Sequence, residues 1–208
     1  MKKALSYGVP LAAVIIFTAG LLPMVYGQMA GNPSTNLVLE SSDYTGDGSG
    51  DIGIFRASTG LWAIRGNPSS SCYFGHAGDI PASGDYNGDG TTEVTIYRGS
   101  TGLWAIKGFT RVYFGDSQDI PVPADYDGDG SCDVARYDSV TGAWSVRGGV
   151  LMARSYFGKG AEAGDLPIPG DYDGDGTADQ AIFRPSTGLW AIADLTQVYF
   201  GKNGDIPV

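Results

Sequence analysis

The stretch DYDGDGSCDVARYDSVTGAWSV, from Asp125 to Val146, is one of four similar copies in the chain. The other copies read DYTGDGSGDIGIFRASTGLWAI from Asp43, DYNGDGTTEVTIYRGSTGLWAI from Asp85 and DYDGDGTADQAIFRPSTGLWAI from Asp171. Their starts are 42, 40 and 46 residues apart, and the same spacings separate Gly60, Gly102, Gly142 and Gly188. Internal repetition at such a period is the signature of a modular architecture. Each copy continues into Tyr-Phe-Gly, at Tyr73, Tyr113, Tyr156 and Tyr199, and then into Asp-Ile/Leu-Pro, at Asp79, Asp119, Asp165 and Asp205.

Working outward from that core, each copy contains four short β-prone runs divided by Gly-, Pro- or Ser/Thr-rich breaks. In the first copy these are Ile52 to Arg56, Leu61 to Arg65, Cys72 to Gly75 and Ile80 to Gly84. Four strands in each unit of about 40 residues is the plan of a propeller blade. The expected fold is therefore all-β and propeller-like, with repeats at 43–84, 85–124, 125–170 and 171–208. Length differences fall between strands, at Gly149 to Arg154 and Gly160 to Ala163 in the third copy, as surface loops allow. Trp62, Trp104, Trp144 and Trp190 recur inside predicted strands, which favours packing between units over sugar stacking.

The acidic start of each copy follows the pattern D-x-[DNT]-G-D-G-x-x-[DE]. Calcium takes six to eight oxygens, so a chain that binds it must turn sharply while aiming alternate side chains at one point. Positions one, three, five and nine carry side-chain oxygens, and position seven offers its carbonyl. The candidate ligands are Asp43, Thr45, Asp47, Ser49 and Asp51; Asp85, Asn87, Asp89, Thr91 and Glu93; Asp125, Asp127, Asp129, Ser131 and Asp133; and Asp171, Asp173, Asp175, Thr177 and Asp179. Asp and Gly also make ordinary polar turns. Four copies with acids in one register favour the metal reading, because crowded like charges are costly without a cation. Thr45 and Asn87 lower the ligand charge of the first two sites, so these are expected to bind more weakly than the last two. The loops are not EF-hands, since the closing acid comes at position nine and a strand-like run follows.

Composition agrees with this reading. The 208 residues are 42% hydrophobic and 17% charged with 33 glycines, which suits a turn-rich β protein. Lys2 and Lys3 precede an apolar run from Val9 to Tyr26, the anatomy of an export signal cut after Gly27. An uncleaved membrane anchor is the alternative, and Pro10 and Pro23 weigh against it. The expected organisation is thus a leader at 1–27, an N-terminal segment at 28–42 and the repeats at 43–208. Without the leader, 11 basic residues face 23 acidic ones, a formal charge of −12. Such a surface repels nucleic acid and anionic lipid. The four loops hold 14 of those acids, and four Ca²⁺ would bring the charge to −4. Cys72 and Cys132, in an oxidising compartment, either pair or remain buried thiols.

Together DYDGDG, the following I-x-x-[FY]-R-x-S-T-G-x-W, YFG and GDIPV resemble the FG-GAP or VCBS-type repeats of bacterial secreted proteins. The integrin α-subunit propeller carries a similar calcium loop. The resemblance covers Asp43 to Val208 and implies β-propeller blades, calcium between strands, and roles in adhesion, recognition or extracellular structure. Asp138 stands where the other copies have Arg56, Arg98 and Arg184, which puts that arginine's role in doubt in the third copy. Integrin-type propellers usually have seven blades, against four here. The four either close as a small ring, with Asn36 to Ser41 beside Ile206 to Val208, or stay open and pair with other chains.

Enzymatic chemistry finds little support. The single histidine, His76, lies in a Gly-rich turn without counterparts, and no nucleophile-base set can be assembled. The expected function is a non-enzymatic, secreted or cell-surface calcium-binding protein acting in adhesion, with a protein or glycan partner. The alternatives are a structural subunit of an extracellular filament or sheath, which self-associates, and a glycan-binding lectin.

Overall fold

A computed structural model of the chain describes residues 25–28, 36–39, 42–148, 155–205 and 207. Among these residues the protein is all-β, with four antiparallel sheets of three or four strands and a separate two-stranded pair. The pair consists of β1 (Val25–Gln28) and β2 (Asn36–Leu39). Sheet 1 contains β3 (Gly53–Arg56), β4 (Leu61–Ile64) and β5 (Asn67–Tyr73). Sheet 2 contains β6 (Ile80–Pro81), β7 (Thr95–Arg98), β8 (Leu103–Ile106) and β9 (Thr110–Tyr113). Sheet 3 contains β10 (Asp119–Pro121), β11 (Ala135–Asp138) and β12 (Trp144–Val146). Sheet 4 contains β13 (Leu166–Pro167), β14 (Ala181–Arg184), β15 (Leu189–Ile192) and β16 (Thr196–Tyr199).

The sheets are offset from the sequence repeats. Ile80 and Pro81, at the end of the first repeat, pair forward with Tyr97 and Ile96. Leu166 and Pro167 likewise pair with Phe183 and Ile182. The Asp-Ile/Leu-Pro segments at Asp79, Asp119 and Asp165 therefore open the sheet of the following copy, and each of these linkers is tied into two units. Asn36–Leu39 stands at the equivalent place before sheet 1, yet it pairs with β1 and approaches β10. Ring closure through that segment is thus not seen among the described residues. Among the described residues, sheet 1 has three strands and β3 has a hydrogen-bonded neighbour on its β4 side alone.

One aromatic pair recurs in every sheet. Phe55, Tyr97, Tyr137 and Phe183 lie opposite Trp62, Trp104, Trp144 and Trp190 in register. Their ring centroids are 4.8, 5.1, 5.1 and 5.3 Å apart, the tilted geometry that aromatic quadrupoles favour. Each indole donates its N–H to a backbone carbonyl, from Trp62, Trp104, Trp144 and Trp190 to Phe74, Phe114, Phe157 and Phe200 at 2.9–3.0 Å. Three of the four tryptophans pack against the following unit, as the packing reading expects, while Trp190 is partly buried on the outer face of sheet 4. Trp62 meets Ile96 and Ala105 of sheet 2, Trp104 meets Cys132 before sheet 3, and Trp144 joins a core with Ile182 and Ala191 of sheet 4. Burial of such side chains stabilises by roughly 2–3 kcal/mol each.

Cys72 and Cys132 lie in separate clusters and form no disulfide with each other. The third-copy insertion at 160–163 begins as a 3-10 turn, Gly160–Glu162, while 149–154 lies outside the described residues. The leader lies largely outside them too, and β1 spans the expected cleavage point at Gly27. Among the described residues no helix is long and apolar enough to cross a membrane.

Candidate metal centre

The acidic loop at Asp43 leads into β3, and those at Asp85, Asp125 and Asp171 connect the first strand of a sheet to its second. Each of these three is closed at its base by paired backbone: Glu93 N–H to Gly84 C=O, Asp133 N–H to Ala124 C=O and Asp179 N–H to Gly170 C=O, at 2.7–2.8 Å. Inside, the first aspartate organises the turn. Asp85 accepts from the N–H groups of Gly88, Asp89 and Gly90 at 2.7, 3.2 and 2.7 Å. Asp125 and Asp171 do the same with Gly128, Asp129 and Gly130, and with Gly174, Asp175 and Gly176. The position-six glycines turn through φ values of +85° at Gly90 and +87° at Gly130, a region that side chains rarely enter.

This wrapping brings distant acids together. Oxygens of Asp85, Asp89 and Glu93 lie within 4.8 Å of one another, as do those of Asp125, Asp127 and Asp133, and those of Asp171, Asp173 and Asp179. Oxygens on opposite sides of a calcium ion are about 5 Å apart, twice the metal–oxygen distance, so the spacing suits one shared cation. Asp129 and Asp175 instead accept from Ser131 N–H and Thr177 N–H at 2.8 Å. The closing acids accept from the amide after the first aspartate: Tyr86 to Glu93 at 2.8 Å, Tyr126 to Asp133 at 3.0 Å and Tyr172 to Asp179 at 2.9 Å.

The first loop is built differently. Asp43 holds Gly46, Asp47 and Gly48 N–H at 2.7, 3.2 and 2.7 Å, so the turn itself is the same. Asp51, however, accepts from Thr45 N–H at 2.9 Å, one residue further along than in the other loops. Asp43, Asp47 and Asp51 do not form a three-carboxylate group of the kind found in the other three loops. Ser49 lies within this loop and its N–H goes to Asp47 at 2.9 Å. In the second loop the Asn87 amide donates to Glu93 at 2.8 Å, in a position where the third and fourth loops carry Asp127 and Asp173. Thr91 donates its N–H to Asp89 at 2.8 Å.

Crowding marks the electrostatics. Burial pushes the Asp133 carboxyl up to about 6, Tyr126 N–H opposes it, and Asp127, Asp125 and Asp129 add to it. Asp179 and Glu93 are raised for the same reasons, burial first and neighbouring carboxylates after. Asp43 moves the other way: burial raises it, and the N–H groups of Gly48, Gly46, Asp47 and Thr45 outweigh that. A cation would relieve the three raised groups.

Successive loops are also joined to one another. Asp43, Asp85 and Asp125 accept, through their backbone carbonyls, the N–H of Thr92, Cys132 and Ala178 in the next loop, at 2.7, 2.6 and 2.7 Å. That contact has no signature in side-chain pattern. His76 is exposed, and its Nδ1 lies 2.8 Å from Arg98 Nη2.

Comparison with known proteins finds no matching family model, no matching curated protein and no matching solved structure.

Proposed function

We propose that this protein is a secreted or cell-surface β-repeat module, propeller-like in plan, whose acidic loops bind calcium and whose role is extracellular interaction without catalysis. The observation that carries this reading is the gathering of three carboxylates within 4.8 Å in the loops at Asp85, Asp125 and Asp171. All-oxygen donors, short glycine turns and raised carboxyl pKa values suit a hard cation of flexible coordination. The residues that would hold it are the ones at positions one, three, five and nine of each loop, with the carbonyl of position seven. The ion would rigidify loops already linked through backbone bonds, and binding to the folded state alone would stabilise it.

The test is calcium titration by calorimetry together with thermal unfolding in calcium and in EDTA. Saturable binding that raises the melting temperature is expected, and loss of one site is expected from Asp133→Asn. No heat of binding and no calcium-dependent shift would overturn the metal assignment. For the interaction role, adhesion to cell or glycan surfaces is compared with calcium and with EDTA. Binding unaffected by the chelator would remove the link between metal and function.

A further inference from the structure

The three internal sheet-to-sheet junctions share a set of contacts, and the two outer faces of the array carry the unmatched halves of that set. At each junction a buried aspartate accepts an N–H with Oδ2 and an arginine with Oδ1. Asp79 takes His76 N–H and Arg98, Asp119 takes Asp116 N–H and Arg136, and Asp165 takes Lys159 N–H and Arg184. The arginine contacts are all 2.7 Å. Asp205 is prepared in the same way, with Lys202 N–H on Oδ2 at 2.9 Å. Among the described residues, Asp205 has no arginine partner and Arg56 has no acidic one.

Apolar contacts repeat the pattern. Ile96 and Ile182 are 1% exposed under the preceding sheet, whereas their counterpart Ile54 is 52% exposed. Tyr86 is 6% exposed under the following sheet, whereas Tyr172 is 43% exposed and Phe200 is 77% exposed. Backbone shows it again: among the described residues, the Asp171 carbonyl and the Gly50 N–H do not make the loop-to-loop bond found at the three internal junctions. Finally, Asp205-Ile206-Pro207 repeats Asp79-Ile80-Pro81, the segment that opens a sheet, and β3 is the edge that lacks such a strand.

We infer that copies of this chain associate head to tail, the fourth sheet and the Asp205 segment of one copy docking on the first sheet of the next. The interface recreates an internal junction, with Asp205 on Arg56, Tyr172 and Phe200 over Ile54, and Asp171 C=O on Gly50 N–H. Such a contact joins two different surfaces, so it leaves a fresh pair of ends and can propagate. It also covers an open sheet edge. The inference stands on the junctions and is independent of the metal reading.

Sedimentation velocity of the full chain over a wide concentration range tests it, in calcium and in EDTA. The expected mass rises with concentration past that of a dimer. Ile54→Asp, at an exposed site, is expected to hold the protein at monomer mass, with tryptophan fluorescence checking the fold. Arg56→Asp and Asp205→Arg are each expected to weaken association at least tenfold, and the two variants mixed, or both changes in one chain, are expected to restore it. A monomer at all concentrations, including one that has closed on itself, would overturn the inference. So would association that these substitutions leave unchanged.

Discussion

Arg136 Nη1 donates to Asp119 Oδ1 at 2.7 Å, in the one repeat where Asp138 occupies the usual arginine position. Positions 136 and 138 lie on the same face of β11, because side chains in a strand alternate. The guanidinium has moved two residues and reaches the same aspartate. The replacement is not equal. Arg98 and Arg184 engage both aspartate oxygens through Nε and Nη2, whereas Arg136 Nε is buried without a partner. Arg136 instead lies over the Phe114 ring at 5.3 Å, a cation–π contact with the preceding sheet.

Removing a guanidinium from a buried pair leaves an uncompensated charge. Arg184→Met strands Asp165, whose side chain is fully buried, and is expected to cost about 3–5 kcal/mol. Arg56→Met, with no ion pair among the described residues, is expected to cost under about 0.5 kcal/mol in dilute protein. Urea unfolding of both variants measures the contrast.

Trp104 is wholly buried and its indole N–H satisfies the Phe114 carbonyl at 2.9 Å. Trp104→Phe removes the donor and leaves a void, for an expected loss of about 2–4 kcal/mol. The same change at Trp190, on the more exposed outer face of sheet 4, is expected to cost less than half as much. Paired denaturation curves decide it.

Gly102 has φ +67°, and a Cβ there would strike the backbone carbonyl of Gly115. The Phe114 N–H to Gly102 C=O bond at 2.7 Å holds the two turns together. Gly102→Ala is therefore expected to lower stability by at least 1–2 kcal/mol from backbone conformation alone. Gly108→Ala, with positive φ and open space around it, is expected to show the conformational part without the clash. Differential scanning calorimetry separates the two.

Asp133, Asp179 and Glu93 are raised above their ordinary values by burial and by neighbouring carboxylates. Stability from their protonated forms is complete below the ordinary carboxyl range and is lost as pH rises, through about 6 for Asp133. In EDTA the melting temperature is therefore expected to fall between pH 5 and pH 7.5. Asp43 is depressed, and its contribution disappears at the acid end, outside that window. Saturating calcium is expected to abolish the fall, because the cation stabilises the ionised carboxylates. Melting curves across pH in both conditions check the sign.

Calcium affinity is expected to be lowest at the first loop, intermediate at the second and highest at the third and fourth. Ligand charge sets part of that order through Thr45 and Asn87, and the altered placement of Asp51 adds to it. Asp43→Asn is expected to remove the weakest step of a titration, and Asp125→Asn one of the strongest. Calorimetry on the two variants assigns the steps.

Much of this protein is written in local pattern. The β-prone runs around Trp62, Trp104, Trp144 and Trp190, bounded by turn residues, determined which residues form strands, and the acid spacing with its glycines determined the loops. Both follow from contacts within a few residues. The pairing of Ile80–Pro81 with the next sheet, the transfer of an arginine to Arg136 and the shifted Asp51 contact required the tertiary structure. So did the difference between Ile96 and Ile54, which share a motif and differ in what lies against them. Strand partners, buried charges and end faces depend on which distant surfaces come together, and a repeated sequence describes every copy as though it had the same neighbours.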